Sequence, residues 1–134
     1  MIELLQVAQV PPFLIDRLKA EYTVHDFVNP SDPEAMLREI GPNIRGIVAG
    51  GMKGPDAALI NALDNLEIIA SFSVGFDATD VAVAQTKGVI VTHTPEVLTG
   101  DVADLAMAFI LMAPRRIGQS ERFLRSGTWT ERRM

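Results

Sequence analysis

The 134-residue chain has 48% hydrophobic and 22% charged residues, a composition that excludes a disordered protein. It contains no cysteine, which excludes a disulfide scaffold and any thiolate-bound zinc or iron–sulfur site. The net charge of −5 argues against nucleic acid as a partner. Residues 1–5 lack the basic start of a secretory signal, and the longest strongly apolar stretch, residues 105–113, is too short to span a membrane. We therefore expect a soluble, cytoplasmic protein without a membrane partner.

Apolar segments that favour β-strands recur at a steady interval along the first hundred residues. They begin 21 to 23 residues apart and cover residues 2–7, 23–28, 44–49, 66–72 and 89–92. Between them lie short helical patterns, one opened by Pro11 and Pro12, one over residues 33–40 capped by Ser31, and one begun at Pro55. The central strands are apolar on both faces, which is typical of a parallel sheet covered by helices on each side. The pattern predicts a doubly wound, five-stranded parallel α/β domain.

A different kind of helix is predicted over residues 101–113, with Thr99 or Asp101 as its cap. Beyond Asp101 and Asp104 it has almost no polar face, so it must be buried on all sides. The sheet domain can cover one side, and a second domain or a second chain must cover the other. Pro114 is expected to interrupt this helix, and residues 118–125 form a polar helix after it.

Candidate functional residues lie in the loops that follow the strands, because ligands of parallel sheets bind beyond the carboxyl ends. Residues 50–54 contain three glycines without the spacing of a phosphate loop, so they form either a tight turn or an anion-binding backbone. At residues 73–75, two successive amides could bind a carboxylate, or the glycine could simply make a turn. His93 has no visible carboxylate partner, which favours a loop hydrogen bond over acid–base work.

Several ordered motifs resemble the D-isomer-specific 2-hydroxyacid dehydrogenase family, in particular its glyoxylate/hydroxypyruvate and hydroxyphenylpyruvate reductases. They are SFSVGFD at residues 71–77, KGVIVTHTP at 87–95 and VLTGDVADLA at 97–106, and the similarity continues at 115–117 and 125–129. The resemblance implies a flavodoxin-like substrate domain at residues 1–98. It also implies linking and dimerisation helices at 99–134, which lead to a Rossmann domain.

The resemblance also implies roles for particular residues. Amides at Val74 and Gly75 would bind the substrate carboxylate, and Met52 and Lys53 would border the substrate side chain. Residues at the start of the apolar helix would face the nicotinamide of NAD or NADP: Leu98, Thr99, Asp101 and Val102. The implied substrate is a small 2-oxo or 2-hydroxy acid, and the implied assembly is a homodimer through the 101–113 helix.

The family's dinucleotide fingerprint and its catalytic Arg, Glu and His fall beyond residue 134, so no catalytic residue can be placed in this sequence. We therefore expect the substrate-domain fragment of an NAD(P)-dependent oxidoreductase, inactive and free of cofactor when alone. The alternative is a stand-alone, non-catalytic module for carboxylate binding or dimerisation. The uniformly apolar helix favours the fragment, since a stand-alone module would carry polar residues on one of its faces.

Overall fold

Five parallel strands form a single sheet in the order β2-β1-β3-β4-β5. The structure, a computed structural model, describes residues 1–129. The strands are β1 (Glu3–Gln6), β2 (Thr23–Asp26), β3 (Ile44–Ala49), β4 (Ile68–Ser71) and β5 (Ile90–Thr92). This order is that of the flavodoxin-like doubly wound sheets. The predicted fold class is therefore confirmed, and the strands end up to two residues short of the predicted limits.

Helices follow each of the first four strands and return the chain to the same end of the sheet. They are α1 (Pro12–Glu21), α2 (Pro33–Ile40), α3 (Ala57–Ala62) and α4 (Val81–Thr86). The predicted range of α2 is confirmed, but its predicted cap and the predicted start of α3 were wrong. Asp32, not Ser31, caps α2 by accepting the Ala35 amide at 2.9 Å. Likewise Asp56 caps α3, so that helix begins two residues after Pro55.

The core lies on one face of the sheet, under three helices. Leu5, Ile47 and Ile69 come from adjacent strands and are fully or almost fully buried. Ile60 and Leu63, in and just after α3, pack against them and are also fully buried. Further members come from the strands and from α2 and α4: Val7, Ile44, Ala49, Leu66, Ala84 and Val89 are buried, and Leu37, Ile40 and Val83 are partly buried.

Helices lie on both faces of the sheet, as predicted, but the second face carries fewer of them and is more open. On this face Ile68 is 37% exposed and Ile90 is 61% exposed. From β2 onward, every connection steps across the sheet in one direction. Right-handed crossovers therefore place α2, α3 and α4 together on one face and only α1 on the other.

The chain divides after Val97, and the second unit, Leu98–Met134, is helical in its described part. Its helices are α5 (Thr99–Arg115) and α6 (Ile117–Arg125). The predicted start of α5 was wrong, because the helix begins at Thr99 and no side chain caps it. Pro114 does not interrupt the helix as expected, because α5 continues through it and ends one residue later, at Arg115. Arg116, at φ 51°, separates the two helices.

Side chains of α5 are exposed along its length, including Leu105, Phe109 and Ile110. The composition of this helix led us to expect that a second domain or a second chain covers it, and that expectation stays a prediction. Of the helices in residues 1–129, none combines the length and hydropathy needed to cross a membrane.

Candidate functional site

The candidate site is built from two loops that leave neighbouring strands at the same edge of the sheet. Parallel pairing places Ala49, the last residue of β3, opposite Ser71, the last residue of β4. The ladder continues for one more bond, in which the Phe72 amide donates to the Ala49 carbonyl at 3.0 Å. The loop at residues 50–54 and the loop at residues 73–77 therefore begin side by side.

Gly51 allows these two loops to come into close contact. A Cβ at this position would lie 2.2 Å from Ser73 Oγ and 3.0 Å from Ser73 Cβ. The serine hydroxyl could rotate away, but its Cβ is fixed to the backbone. A side chain here would require the two loops to move apart by a few tenths of an ångström, so the glycine permits their close contact. The turn around it is closed by the Gly50 amide, which donates to the Lys53 carbonyl at 2.9 Å.

The backbone amides of Val74 and Gly75 lie at this junction. Within residues 1–129 neither amide donates a hydrogen bond to another group of the protein. Both residues are partly exposed. Consecutive backbone amides that are free and accessible to solvent can bind an anion, because N–H groups donate strongly to a carboxylate. The two amides singled out in the sequence are thus chemically available.

His93 lies beside this loop because β5 is the neighbour of β4. Its Nδ1 is 2.8 Å from the Val74 carbonyl oxygen. The adjacent Thr94 amide donates to the Ser73 carbonyl at 2.9 Å. The ring of Phe76 packs against the imidazole at a centroid distance of 4.9 Å in an edge-to-face arrangement. The prediction of a loop hydrogen bond for His93 is confirmed, and the bond ends on one of the two candidate binding residues.

Asp77 introduces a negative charge next to the amides. Its Oδ2 lies 3.3 Å from the position that a Cβ of Gly75 would occupy. The residue is exposed, so water screens much of this charge. A carboxylate bound at Gly75 would still be weakened by a second carboxylate at such short range.

Met52 and Lys53 occupy the tip of the glycine loop and differ in their surroundings. The Met52 side chain is fully exposed and free to contact a ligand. The Lys53 ammonium donates to the Val28 carbonyl, which lies just after β2. Lys53 therefore attaches the glycine loop to the β2 side of the sheet and contributes a positive charge at this edge.

The residues predicted to face a cofactor belong to the second unit, at the start of α5. Leu98 precedes the helix, Thr99 begins it, and the Val102 amide donates to the Leu98 carbonyl at 3.1 Å. Leu98 is 43% exposed and Val102 is 54% exposed, which gives an apolar surface about one helical turn long. Asp101 lies in the first turn, where a carboxylate favours the helix dipole.

The described residues contain no cluster of three or more side chains suited to hold a metal ion. At this edge of the sheet, residues 1–97 bring together two backbone amides, one lysine, one histidine and one aspartate. Together with the strand order, these features define a flavodoxin-like α/β domain with an amide-lined loop at the carboxyl edge of its sheet.

Comparison with known proteins gives this domain its family. The model of the D-isomer specific 2-hydroxyacid dehydrogenase catalytic domain matches residues 4–132. The chain therefore belongs to the D-isomer specific 2-hydroxyacid dehydrogenases, and the resemblance carried by the sequence motifs is confirmed.

Individual relatives support the same assignment. Glyoxylate/hydroxypyruvate reductase A HPR2 of Arabidopsis thaliana is 38% identical over 130 residues, which are 97% of this chain and 42% of the relative. A 2-hydroxyacid dehydrogenase structure from Ketogulonicigenium vulgare Y25 matches with a TM-score of 0.87 and 41% identity, over 99% of this chain and 44% of that one.

A third relative has a ligand-bound structure. It is an NADPH-dependent glyoxylate/hydroxypyruvate reductase from Sinorhizobium meliloti, in complex with NADP and malonate. It matches with a TM-score of 0.78 and 34% identity, over 95% of this chain and 39% of that one. The chain thus spans less than half the length of each of these three relatives.

Two features of the site did not follow from the sequence. Nothing in the spacing of His93 and Val74 showed that they are bonded, although their positions after adjacent strands could have placed them at one edge. The charge of Asp77 beside Gly75 is the second feature, since the residue that caps the next helix, α4, is Asp80, which accepts the Val83 amide at 3.1 Å. Asp77 is free of that role because it lies three residues upstream of the cap.

Replacing the glycine at the loop contact tests this geometry. We expect Gly51→Ala to lower the free energy of unfolding by about 1–3 kcal/mol, because the new methyl group overlaps Ser73. The double variant Gly51→Ala/Ser73→Gly removes the obstructing atoms, so its cost should be smaller than the sum of the two single changes. Urea denaturation measures all three variants.

Gly41→Ala is the matched control for this series. Gly41 has a helical backbone conformation, and a Cβ there would meet its nearest atom at an ordinary 3.6 Å. Its stability should equal that of the wild type or exceed it by up to about 1 kcal/mol. Equal stability of Gly51→Ala and Gly41→Ala would contradict the close contact of the two loops.

Proposed function

We propose that residues 1–97 form the substrate-binding domain of an NAD(P)-dependent oxidoreductase that interconverts 2-oxo acids and D-2-hydroxy acids. The backbone amides of Val74 and Gly75 would bind the substrate carboxylate. The steps of hydride and proton transfer are assigned to parts of the enzyme outside these 134 residues. The observation that carries the proposal is that the Val74 and Gly75 amides, which belong to partly exposed residues at the carboxyl edge of the sheet, donate to no group within residues 1–129.

The chemistry of the loop suits a carboxylate better than a neutral group. A hydrogen bond from an amide to a charged oxygen contributes about 1.5–3 kcal/mol, roughly twice the value for a neutral acceptor. Two such bonds must also offset the loss of rotational and translational freedom on binding. A dissociation constant of about 1–10 mM, which corresponds to about −4 to −3 kcal/mol, is therefore the scale expected for this half-site alone.

Relatives support the substrate class. The Arabidopsis relative is named for glyoxylate and hydroxypyruvate, which are both 2-oxo acids. The Sinorhizobium relative is in complex with malonate, a dicarboxylate. In our proposal Met52 and Lys53 border the part of the substrate beyond its carboxylate. The exposed thioether of Met52 would contact apolar substituents, and Lys53 would hold the loop in place through Val28.

The start of α5 is the part of this chain that we assign to the cofactor. Leu98 and Val102 present an exposed apolar surface one turn long, which fits van der Waals contact with a flat nicotinamide ring. Thr99 and Asp101 would provide polar contacts beside that surface. When bound, the cofactor supplies the hydride, while these four residues contribute only its position.

The exposed apolar side chains of α5 support a further part of the proposal, that this helix packs against a second domain or against a second copy of the chain in a homodimer.

The alternative, a non-catalytic module, makes the same use of the amides but needs no cofactor contact at Leu98, Thr99, Asp101 and Val102.

Amide spectra of the isotope-labelled chain test carboxylate binding directly. We expect D-glycerate to shift the Val74 and Gly75 resonances in a saturable way, with a dissociation constant of about 1–10 mM. Glycerol is the matched control, because it carries a hydroxymethyl group in place of the carboxylate. Equal shifts with both compounds, or shifts confined to other loops, would contradict the assignment of these amides to the substrate.

A charge change beside the amides tests the location of the bound carboxylate. Asp77→Asn should tighten D-glycerate binding by about two- to fivefold at low salt, because it removes a negative charge next to Gly75. The gain should shrink as salt is added, since the residue is exposed. Asp64→Asn is a control at an exposed carboxylate before β4, and it should leave the affinity unchanged. A gain of the same size in both variants would place the ligand elsewhere.

A further inference from the structure

The bond between His93 and Val74 determines which ring nitrogen carries a proton. A carbonyl oxygen can only accept, so the Nδ1 atom at 2.8 Å from the Val74 oxygen must be the donor. The Phe76 ring contacts the imidazole edge-to-face at 4.9 Å and limits its rotation. His93 thus presents a fixed N–H group to one particular carbonyl of the candidate loop.

That carbonyl belongs to the same peptide unit as the Gly75 amide. No peptide bond among the described residues is cis, so the oxygen and the hydrogen of this unit point in opposite directions. With the Val74 oxygen directed at the imidazole, the Gly75 N–H is directed away from it. Glycine has more backbone freedom than any other residue, so without a restraint this peptide unit could rotate at little cost.

We infer that His93 is a positioning residue, whose Nδ1–H group fixes the orientation of the Val74–Gly75 peptide and thereby the direction of the Gly75 amide. The inference rests on the proposed function, because the orientation of the Gly75 amide matters only if that amide binds the substrate carboxylate. It gives His93 no contact with the substrate and no role in proton transfer.

Substitutions can separate the two nitrogens of the ring. The side-chain amide of asparagine places an N–H group at the position of Nδ1, and that of glutamine places one near the position of Nε2. We expect His93→Ala and His93→Gln to shift the Gly75 amide resonance and to lower its NMR order parameter, because the peptide loses its restraint. His93→Asn should keep both close to their wild-type values.

Ligand affinity should follow the same order. D-glycerate binding should weaken by about three- to tenfold in His93→Ala and His93→Gln, the effect of losing one ordinary hydrogen bond. His93→Asn should bind within about twofold of the wild type. A general loss of stability would not produce rescue by asparagine alone, and urea denaturation of each variant confirms that it is folded under the conditions of the titration.

Nitrogen-15 spectra of the imidazole provide a test that needs no ligand. At about pH 8.5, where a free imidazole is neutral, the proton of His93 should reside on Nδ1. A proton on Nε2, or a Gly75 amide that does not respond to His93→Ala, would overturn the inference. A wild type whose Gly75 amide depends on His93 but which binds no D-glycerate would support the positioning role and contradict the proposed function.

Discussion

Parallel pairing of β3 with β4 is the constraint on which the candidate site depends. Their register places Ala49 and Ser71 opposite each other, and the bond from the Phe72 amide to the Ala49 carbonyl extends the ladder to the point where both loops begin. Gly51 then allows one loop to pack on the other. The register is fixed because Ile47 and Ile69 are both buried in the core. Sliding one strand by one residue would turn these side chains out of the core and separate the loops.

Polar groups then act on a backbone that the core has already placed. Thr94 and His93 connect the loop after β4 to the loop after β5, and Lys53 connects the glycine loop to the residues after β2. These contacts join the segments that follow β2, β3, β4 and β5, all at the same edge of the sheet. In the part of the chain that the structure describes, this arrangement leaves the amides of Val74 and Gly75 without an acceptor, which is the property that a carboxylate site requires.

Much of the fold followed from the sequence, because its signals are local. The five strands and their spacing were apparent from apolar segments separated by proline and glycine, and the fold class and family were both confirmed. Helix caps were less predictable, as Asp32 and Asp56 show, because neighbouring Ser and Pro residues give competing signals. The open face at Ile68 and Ile90 depends on the direction of successive crossovers, which periodicity does not encode.

The site was partly predictable for a similar reason. Val74, Gly75, Met52 and Lys53 could be proposed from the loops and the family motifs, since each lies after a recognisable strand. The bond from His93 to Val74 joins residues from two loops, and only the strand order places them together. The roles assigned to Leu98, Thr99, Asp101 and Val102 rest on the family resemblance and on the exposed apolar turn at the start of α5.

A crystal structure of this protein with bound D-glycerate would test the central claim most directly. The account predicts a carboxylate oxygen within about 2.7–3.1 Å of the Gly75 nitrogen. The Val74 amide should donate to that oxygen or to the second oxygen of the same carboxylate. The account also predicts that the His93 bond to the Val74 carbonyl is retained. A ligand whose carboxylate is held by side chains elsewhere, with both amides directed to solvent, would contradict it.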